Sequence, residues 1–155
     1  MVPATALLLF PPPAPGPYGA ERDASAYAAQ GGGAFDPLPK GDPVELTLGQ
    51  FSSRAVYDRS RTTRGRTTRM TGFVGKGDGD TWYPTRLLIG CCAVDARPDK
   101  VEIRGVDAPQ ADNRVTVTGT WRPSGKLGSD RAWPLVLDTT GLQRIGQPDS
   151  PYEKR

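Results

Sequence analysis

Histidine is absent from this chain of 155 residues, and its absence excludes several kinds of active site. Without it there can be no Ser-His-Asp or Cys-His catalytic arrangement and no zinc site built on imidazole. The side chain that most often shuttles protons near neutral pH is also missing. An enzyme built on this sequence would need carboxylates, cysteines or a cofactor. No complete catalytic constellation is present, so the sequence favours a non-enzymatic function.

Cysteine is nearly absent as well, because the chain holds only the adjacent pair Cys91 and Cys92. Neighbouring cysteines cannot join distant elements of a fold. The sequence is therefore not that of a small disulfide-stabilised scaffold.

Long apolar runs are also scarce, the clearest being MVPATALLLF at residues 1–10. Ten helical residues rise about 15 Å, half of a hydrocarbon core of roughly 30 Å, so this run cannot span a membrane. It is either an apolar tail or the end of a transmembrane helix that begins earlier. Residues 11–43 are rich in proline and glycine, which predicts a flexible tether between this segment and a folded domain at residues 44–152.

Charge is divided unevenly along the chain. Residues 1–50 hold two basic and five acidic side chains, a net charge of −3, so the rest must carry +6 to give the total of +3. Residues 51–76 contain seven Arg or Lys against the single Asp58. Such a run is typical of a solvated edge beside a strand, although phosphate binding is an alternative.

The folded part is predicted to open with a short helix that covers one end of a barrel. The helix lies within residues 44–58, where four apolar residues fall near helical spacing: Leu48, Phe51, Ala55 and Val56. Five strands are expected after it, at residues 67–75, 82–91, 100–106, 114–121 and 133–139, with residues 141–145 as an extension of the last. The turn-rich GKGDGD between the first two predicts a hairpin.

Many short strands without intervening helices indicate a sandwich or a barrel. The stretch RVTVTGTW alternates, with Val115, Val117 and Trp121 on one face and threonines on the other. Gly72 and Gly119 each interrupt an alternating strand, which is typical of a bulge or a sharp bend. Closing five strands requires such bends, so the predicted fold is all-β, an oligonucleotide/oligosaccharide-binding (OB)-like barrel with one short helix.

The second strand ends in LLIGCCAVDARPDK, and leucines at successive positions predict that both of its faces are covered. Three interpretations of Cys91 and Cys92 remain open. They are two small buried side chains, a thiol site for a soft metal or reversible disulfide, or a nucleophile. Zn or Cu(I) suits two thiolates, and Asp95 with Asp99 offers oxygen ligands, but that set leaves a closed zinc site incomplete without a partner chain.

The residues after the cysteines predict a structural turn. Asp95, Arg97 and Pro98 combine a side chain that hydrogen-bonds to nearby backbone with a residue that fixes its own backbone angle. Asp95 therefore has two candidate roles, as a metal ligand and as a turn residue.

TRLLIGCCAVDARP resembles the RFxIxCCAADAxPV signature of an uncharacterised bacterial membrane-protein family, the YcgQ-like accessory subunits of candidate two-component permeases. GDPVELTLGQFSSRAVYD resembles the family's opening helix, TGFV its first strand, VTVTGTW its fourth, and DSPYE the tail of actinobacterial members. The resemblance covers about residues 10–153. Val94 and Asp99 depart from the family's Ala and Val.

The resemblance implies a non-enzymatic accessory domain, membrane association with the barrel outside the cytoplasm, and a permease subunit as partner. It also implies a link to metal homeostasis, without establishing a cofactor. If the chain as given is complete, a soluble protein is expected instead.

Two further functions stay open. A single-stranded nucleic-acid-binding module would need aromatic platforms and basic residues, and the candidates are Phe73, Trp82, Tyr83 and Trp121 with Arg66, Arg69 and Arg86. Core packing is the commoner use of such aromatics, so nucleic acid is the less favoured partner. A thiol redox protein would use Cys91 and Cys92, which lack the CxxC arrangement.

Overall fold

The computed structural model describes residues 35–89, 96–125, 134–146 and 152–154. Within these ranges the chain is mostly β-structure. Its elements in chain order are β1 (Val44–Glu45), α1 (Leu48–Tyr57), β2 (Thr67–Lys76), β3 (Trp82–Ile89), β4 (Arg97–Arg104), β5 (Arg114–Arg122), β6 (Leu135–Ile145) and β7 (Tyr152–Lys154). The predicted tether at residues 11–43 falls largely outside the described residues.

A capping box begins helix α1. The Thr47 hydroxyl accepts a hydrogen bond from the Gln50 backbone N–H at 3.0 Å, and the Gln50 side chain accepts one from the Thr47 N–H at 3.0 Å. These bonds satisfy backbone donors that the helix itself leaves unpaired. Three of the four apolar residues predicted to form the buried helical face, Leu48, Phe51 and Ala55, are buried in the core, whereas Val56 is only half-buried.

Five strands close into a ring in the order β2-β3-β4-β6-β5 and back to β2. β2 and β3 form the predicted antiparallel hairpin, β3 pairs antiparallel with β4, and β4 pairs parallel with β6. β6 then pairs antiparallel with β5, and β5 pairs antiparallel with β2. This is the strand order of an OB barrel, so the predicted fold class is confirmed.

Two short strands extend the ring where β2 and β3 separate. β1 adds parallel to the beginning of β2, with Val44 opposite Thr68, and β7 adds parallel to the end of β3, with Leu87 opposite Tyr152. β1 pairs with β2 along the edge where β3 does not, and β7 pairs with β3 along the edge where β2 does not. Unpaired strand edges expose backbone donors and acceptors, and these additions pair Thr68 and Arg69 on one side of the opening and residues 87–89 on the other.

Side chains from the ring strands and from helix α1 together form the hydrophobic core. Val115 and Val117 are fully buried and Trp121 is 6% exposed, as the alternation of β5 predicted. The threonines between them lie on the half-exposed outer face. Side chains of this size each stabilise the fold by about 1.5–3 kcal/mol on burial. Exposed ion pairs such as Arg69–Glu45 and Arg122–Asp138 contribute about 0–1 kcal/mol each, so the core dominates the stability.

The two strand glycines act differently. β5 and β6 shift register between Thr118 and Gly119, which leaves Thr140 of β6 as the additional residue of a bulge. β2 stays in register with β5 through Gly72, so that ladder has no bulge there. Gly72 instead permits a close approach, since a Cβ at this position would lie 2.8 Å from the backbone nitrogen of Thr85.

Both ends of β4 differ from the prediction, since the strand runs from Arg97 to Arg104 rather than from residue 100 to residue 106. β6 continues through Ile145, as the predicted extension of the last strand requires, and the predicted end of β3 at residue 91 lies outside the described residues. β1 and β7 were not predicted. Each has only two or three residues, too few to show a period-2 pattern.

Candidate functional site

Strand β3 leads directly toward the cysteine pair. Its last described residue is Ile89, whereas Cys91, Cys92 and Asp95 lie outside the described residues. Their proposed roles therefore stay predictions. In the strand that precedes them, Leu88 is buried, with 8% of its surface exposed, and Leu87 is half-buried.

The end of β3 is paired on both edges. Leu87 lies opposite Pro98 of β4 on one side and Tyr152 of β7 on the other, and Leu88 lies between Arg97 and Glu153. Backbone hydrogen bonding on both edges restricts the position of a strand. The strand that leads into the cysteine segment is therefore paired with a neighbour on each side.

Arg97 and Pro98 are the first two residues of β4 rather than part of the predicted turn. The reason is register, because antiparallel pairing with Leu87 and Leu88 continues to the end of both strands. Proline cannot donate a backbone hydrogen bond, and at the second position of a strand this loss is tolerated. Residues 90–96 join β3 to β4, and residues 90–95, which include Asp95 of the predicted turn, lie outside the described ranges.

A polar cluster ties helix α1 to the same part of the barrel. The Ser52 hydroxyl donates a hydrogen bond of 2.9 Å to Asp99 Oδ1, and Asp99 lies opposite Arg86 in the β3–β4 ladder. Ser52 is 8% exposed. Asp99 is a candidate oxygen ligand for a metal by sequence, and in the structure its Oδ1 accepts the hydrogen bond from the helix. Sequence reasoning missed this contact, because the two residues are 47 positions apart.

Two of the four candidate stacking residues belong to the core. Trp82 is 1% exposed and donates from Nε1 to the Val106 carbonyl at 3.0 Å, and Trp121 is 6% exposed. These side chains fill the barrel, and the preference of strand aromatics for core packing decides their role.

The other two lie on the outer surface, each next to a cation. The Arg114 guanidinium lies 5.0 Å from the ring centre of Phe73, and the Lys100 ammonium lies 4.7 Å from that of Tyr83. The expectation that Phe73 fills the core was wrong. The inward positions of β2 are Thr68, Met70, Gly72 and Val74, so the odd-numbered residues face outward.

Tyr83 also differs electrostatically from an ordinary surface tyrosine. Partial burial raises the pKa of its phenol above 10.0, and the carboxylates of Glu102 and Asp78 raise it further. The phenol is therefore neutral over the physiological range. It offers a hydrogen-bond donor and a ring face occupied by Lys100.

The three candidate basic residues for nucleic acid each lie beside other groups of the protein. Arg69 pairs with Glu45 at 3.1 Å on the outer face, and Arg66 donates to the Gly41 carbonyl at 3.1 Å beside the helix–β2 loop. Arg66 and Arg69 therefore both contact the segment at residues 41–45, whereas Arg86 lies in the β3–β4 ladder opposite Asp99.

A compact basic loop joins α1 to β2 at residues 58–66. The Asp58 carboxylate accepts hydrogen bonds of 2.9 Å from the backbone N–H groups of Ser60 and Thr62, and a further bond from the Thr62 hydroxyl. The hydroxyl bond is the largest influence, and it lowers the pKa of Asp58 below its usual 3.8 although burial opposes this. Arg59, Arg61 and Arg64 are exposed on this loop.

The described ranges contain neither a clustered metal site nor a membrane-spanning helix. No group of three or more Cys, Asp or Glu side chains forms a metal-holding cluster there. In the same part of the chain, no helix is long and apolar enough to cross a bilayer.

Comparison with known proteins adds little. No protein-family profile matches the chain, and no curated protein matches it. Among solved structures it is similar to a Leishmania major protein assigned as an aspartyl-tRNA synthetase, with 9% identity and a TM-score of 0.38. The match covers 83% of this chain and 26% of that one, so this chain spans about a quarter of the other's length. A likeness this distant carries no argument about function.

Proposed function

We propose that this chain is a non-enzymatic accessory domain of a membrane permease system that binds a soft metal, Zn(II) or Cu(I), through Cys91 and Cys92. The observation that carries the proposal is the support given to β3. Leu87 and Leu88 are paired with β4 on one edge and β7 on the other, shortly before the cysteines.

Rigid support matters because a metal site binds more tightly when its ligands lose little freedom on binding. Because β3 is paired on both edges, the position of the chain just before Cys91 and Cys92 is restricted. Thiolates are the ligands that Cu(I) and Zn(II) prefer in proteins. Cys91 and Cys92 are the only thiols of the chain, so a thiolate site within it must use them.

Asp95 is proposed as the third ligand. A closed zinc site takes four ligands, which leaves one position for a partner, and we assign it to the permease subunit. Asp99 is not included, because its carboxylate accepts the Ser52 hydrogen bond and lies opposite Arg86. The family resemblance supports the permease as partner, and the barrel is the scaffold that would present the site to it.

Single-stranded nucleic acid is the runner-up ligand. An OB barrel binds it through exposed aromatic faces and a basic groove. Here Trp82 and Trp121 are buried, while Phe73 and Tyr83 each have a cation against the ring. These contacts favour the accessory-domain proposal over the nucleic-acid one.

The metal role is tested by titrating the purified full chain with Zn(II) or Cu(I) against a chromophoric chelator. Cys91→Ser and Cys92→Ser should each weaken binding by about 10-fold or more, and Asp95→Asn should weaken it less. Asp99→Asn is the matched control, since it removes a neighbouring carboxylate charge that the proposed site does not use. Equal affinity of the wild-type and cysteine variants would reject the metal role.

Thiol labelling separates the remaining interpretations of the cysteines. Labelling of the native apo-protein that Zn(II) suppresses supports the proposed site. Labelling only after denaturation would indicate core packing instead, and a reversible disulfide in the native chain would favour the redox alternative. The permease role is tested by co-expression with a permease subunit of the type that the family resemblance implies and by co-purification from detergent-solubilised membranes. Absence of a complex would contradict that part alone.

A further inference from the structure

The loop at residues 58–66 is the most strongly charged part of the described surface. It carries Arg59, Arg61, Arg64 and Arg66 against Asp58, a net charge of +3 in nine residues. All four arginines are exposed. Within the described ranges, Arg59, Arg61 and Arg64 make no hydrogen bond or ion pair through their side chains. Their charges are therefore available to an external anion.

The backbone of this loop is ordered by its own hydrogen bonds. Besides the bonds to the Asp58 carboxylate, the N–H groups of Arg61, Arg64 and Arg66 donate to backbone carbonyls three residues earlier, at 3.0–3.2 Å. The Asp58 carboxylate therefore accepts hydrogen bonds within the loop and is only 9% exposed, whereas the arginine side chains are exposed to solvent. A backbone held by its own hydrogen bonds, with several exposed cationic side chains spread along it, suits a broad anionic surface better than one small anion.

The loop lies beside the segment that connects the barrel to the earlier part of the chain. Arg66 donates to the Gly41 carbonyl at 3.1 Å. One helical turn before the loop, Arg54 donates to the Asp36 carbonyl at 2.7 Å and lies 5.1 Å from the Phe35 ring centre. Residues 35–41, which precede the barrel, therefore lie next to the arginines. The apolar run MVPATALLLF comes earlier in the same part of the sequence.

We infer that this arginine loop binds the anionic headgroups of a phospholipid bilayer and orients the barrel against the membrane. Each basic residue close to an anionic membrane surface contributes a favourable attraction that acts within a Debye length, about 10 Å at 0.1 M salt. A protein site for nucleic-acid bases would add aromatic platforms, whereas residues 58–66 contain no aromatic side chain. The inference rests on the loop and not on the metal-binding proposal.

The test uses the full chain and sedimentation with two kinds of vesicle. One is phosphatidylcholine alone, and the other is phosphatidylcholine mixed with phosphatidylglycerol. The variant Arg59→Gln/Arg61→Gln/Arg64→Gln removes three charges from the loop. The control Arg104→Gln/Arg122→Gln/Arg144→Gln removes three exposed charges from the β4–β5–β6 side. Thermal unfolding of both variants verifies that the fold is kept.

The wild-type chain should bind the anionic vesicles more tightly than the neutral ones, and salt should weaken this preference. The loop variant should lose about 100-fold in affinity for anionic vesicles, since basic residues near such a surface act additively, and the control should lose about 10-fold or less. Comparing the two vesicle types removes any contribution from the apolar run, which does not distinguish headgroup charge.

Four outcomes would overturn the inference. They are equal binding to both vesicles, equal losses in the two variants, and loop-dependent binding of a single-stranded oligonucleotide that exceeds the binding to anionic vesicles. The fourth is release from the vesicles by inorganic phosphate at constant ionic strength, which would indicate a small-anion site. Since both cysteines are intact in the loop variant, its metal titration stays as in the wild type, so failure here is distinguishable from failure of the metal role.

Discussion

The backbone of Gly72 lies directly against that of Thr85. A Cβ built on Gly72 would be 2.8 Å from the Thr85 nitrogen and 2.9 Å from its carbonyl oxygen. This is the point at which β2 begins to pair with β3, since Phe73 is opposite Thr85. The ring of strands closes there, and a side chain between the two backbones would hold them apart.

Gly72→Ala is therefore expected to destabilise the barrel by about 3 kcal/mol, because the obstacle is backbone that cannot rotate away. Urea denaturation measures the change. Gly141→Ala is the matched control: it lies in β6, where an added Cβ would meet the Thr118 Cβ at an ordinary 3.7 Å. That change should stay within about 0.5 kcal/mol of the wild type. Similar losses in both variants would contradict the role given to Gly72.

Ser52→Ala should reduce the free energy of unfolding by about 1–2 kcal/mol, because it removes the 2.9 Å hydrogen bond to the Asp99 carboxylate from a buried position. In a chain that already carries Asp99→Ala, the same substitution should cost almost nothing. Ser53→Ala, one residue along the helix, is the control. A full cost of Ser52→Ala in the absence of the carboxylate would show that another contact is responsible.

The loop at residues 58–66 should loosen in acid. Hydrogen bonds lower the pKa of Asp58 in the folded state below 3.8. Its ionised form therefore contributes stability that is present above pH 3.8 and lost as the pH falls through the folded-state pKa. Asp58→Asn should cost about 1–2 kcal/mol at neutral pH, and the difference from wild type should shrink below about pH 4.

Thermal unfolding as a function of pH measures the effect of Asp58. Asp107→Asn, which removes a carboxylate from an exposed position outside the loop, is the control. A constant difference between wild type and Asp58→Asn at every pH would show that the charge of Asp58 is not what holds the loop.

The phenol of Tyr83 should ionise above pH 10.0 in an alkaline titration followed by phenolate absorbance, because its pKa is raised. Burial is the largest cause of its raised pKa, so Glu102→Gln should lower that pKa only part of the way toward 10.0. The neutral phenol contributes stability below pH 10.0 that is lost as the pH rises through the folded-state pKa. Subtracting the curve of Tyr83→Phe isolates this group, and Glu45→Gln is the control. A full return to 10.0 would assign the shift to charge rather than to burial.

Much of the barrel could be predicted because its strands carry local signals. The alternation in β5 places Val115, Val117 and Trp121 inside, and helical spacing places Leu48 and Phe51 against the core. The candidate thiol site is a different matter. Its position after β3 follows from the sequence, but Cys91 and Cys92 fall outside the described residues, and their chemistry stays a prediction. Asp99 illustrates what the sequence could not predict, since this candidate ligand accepts a hydrogen bond from the Ser52 hydroxyl of helix α1.

Local patterns were enough to predict the helix, the five ring strands and the inward face of β5, because period-2 and helical patterns depend on neighbours in the chain. The contacts between distant elements were not predictable in this way: Phe73 faces outward under Arg114, Ser52 reaches Asp99, and the added strands β1 and β7 supply pairing at the edges of β2 and β3. These relationships depend on register and pairing between distant strands. A one-residue change of register reverses every side chain, and no local pattern specifies which distant edge a strand will meet.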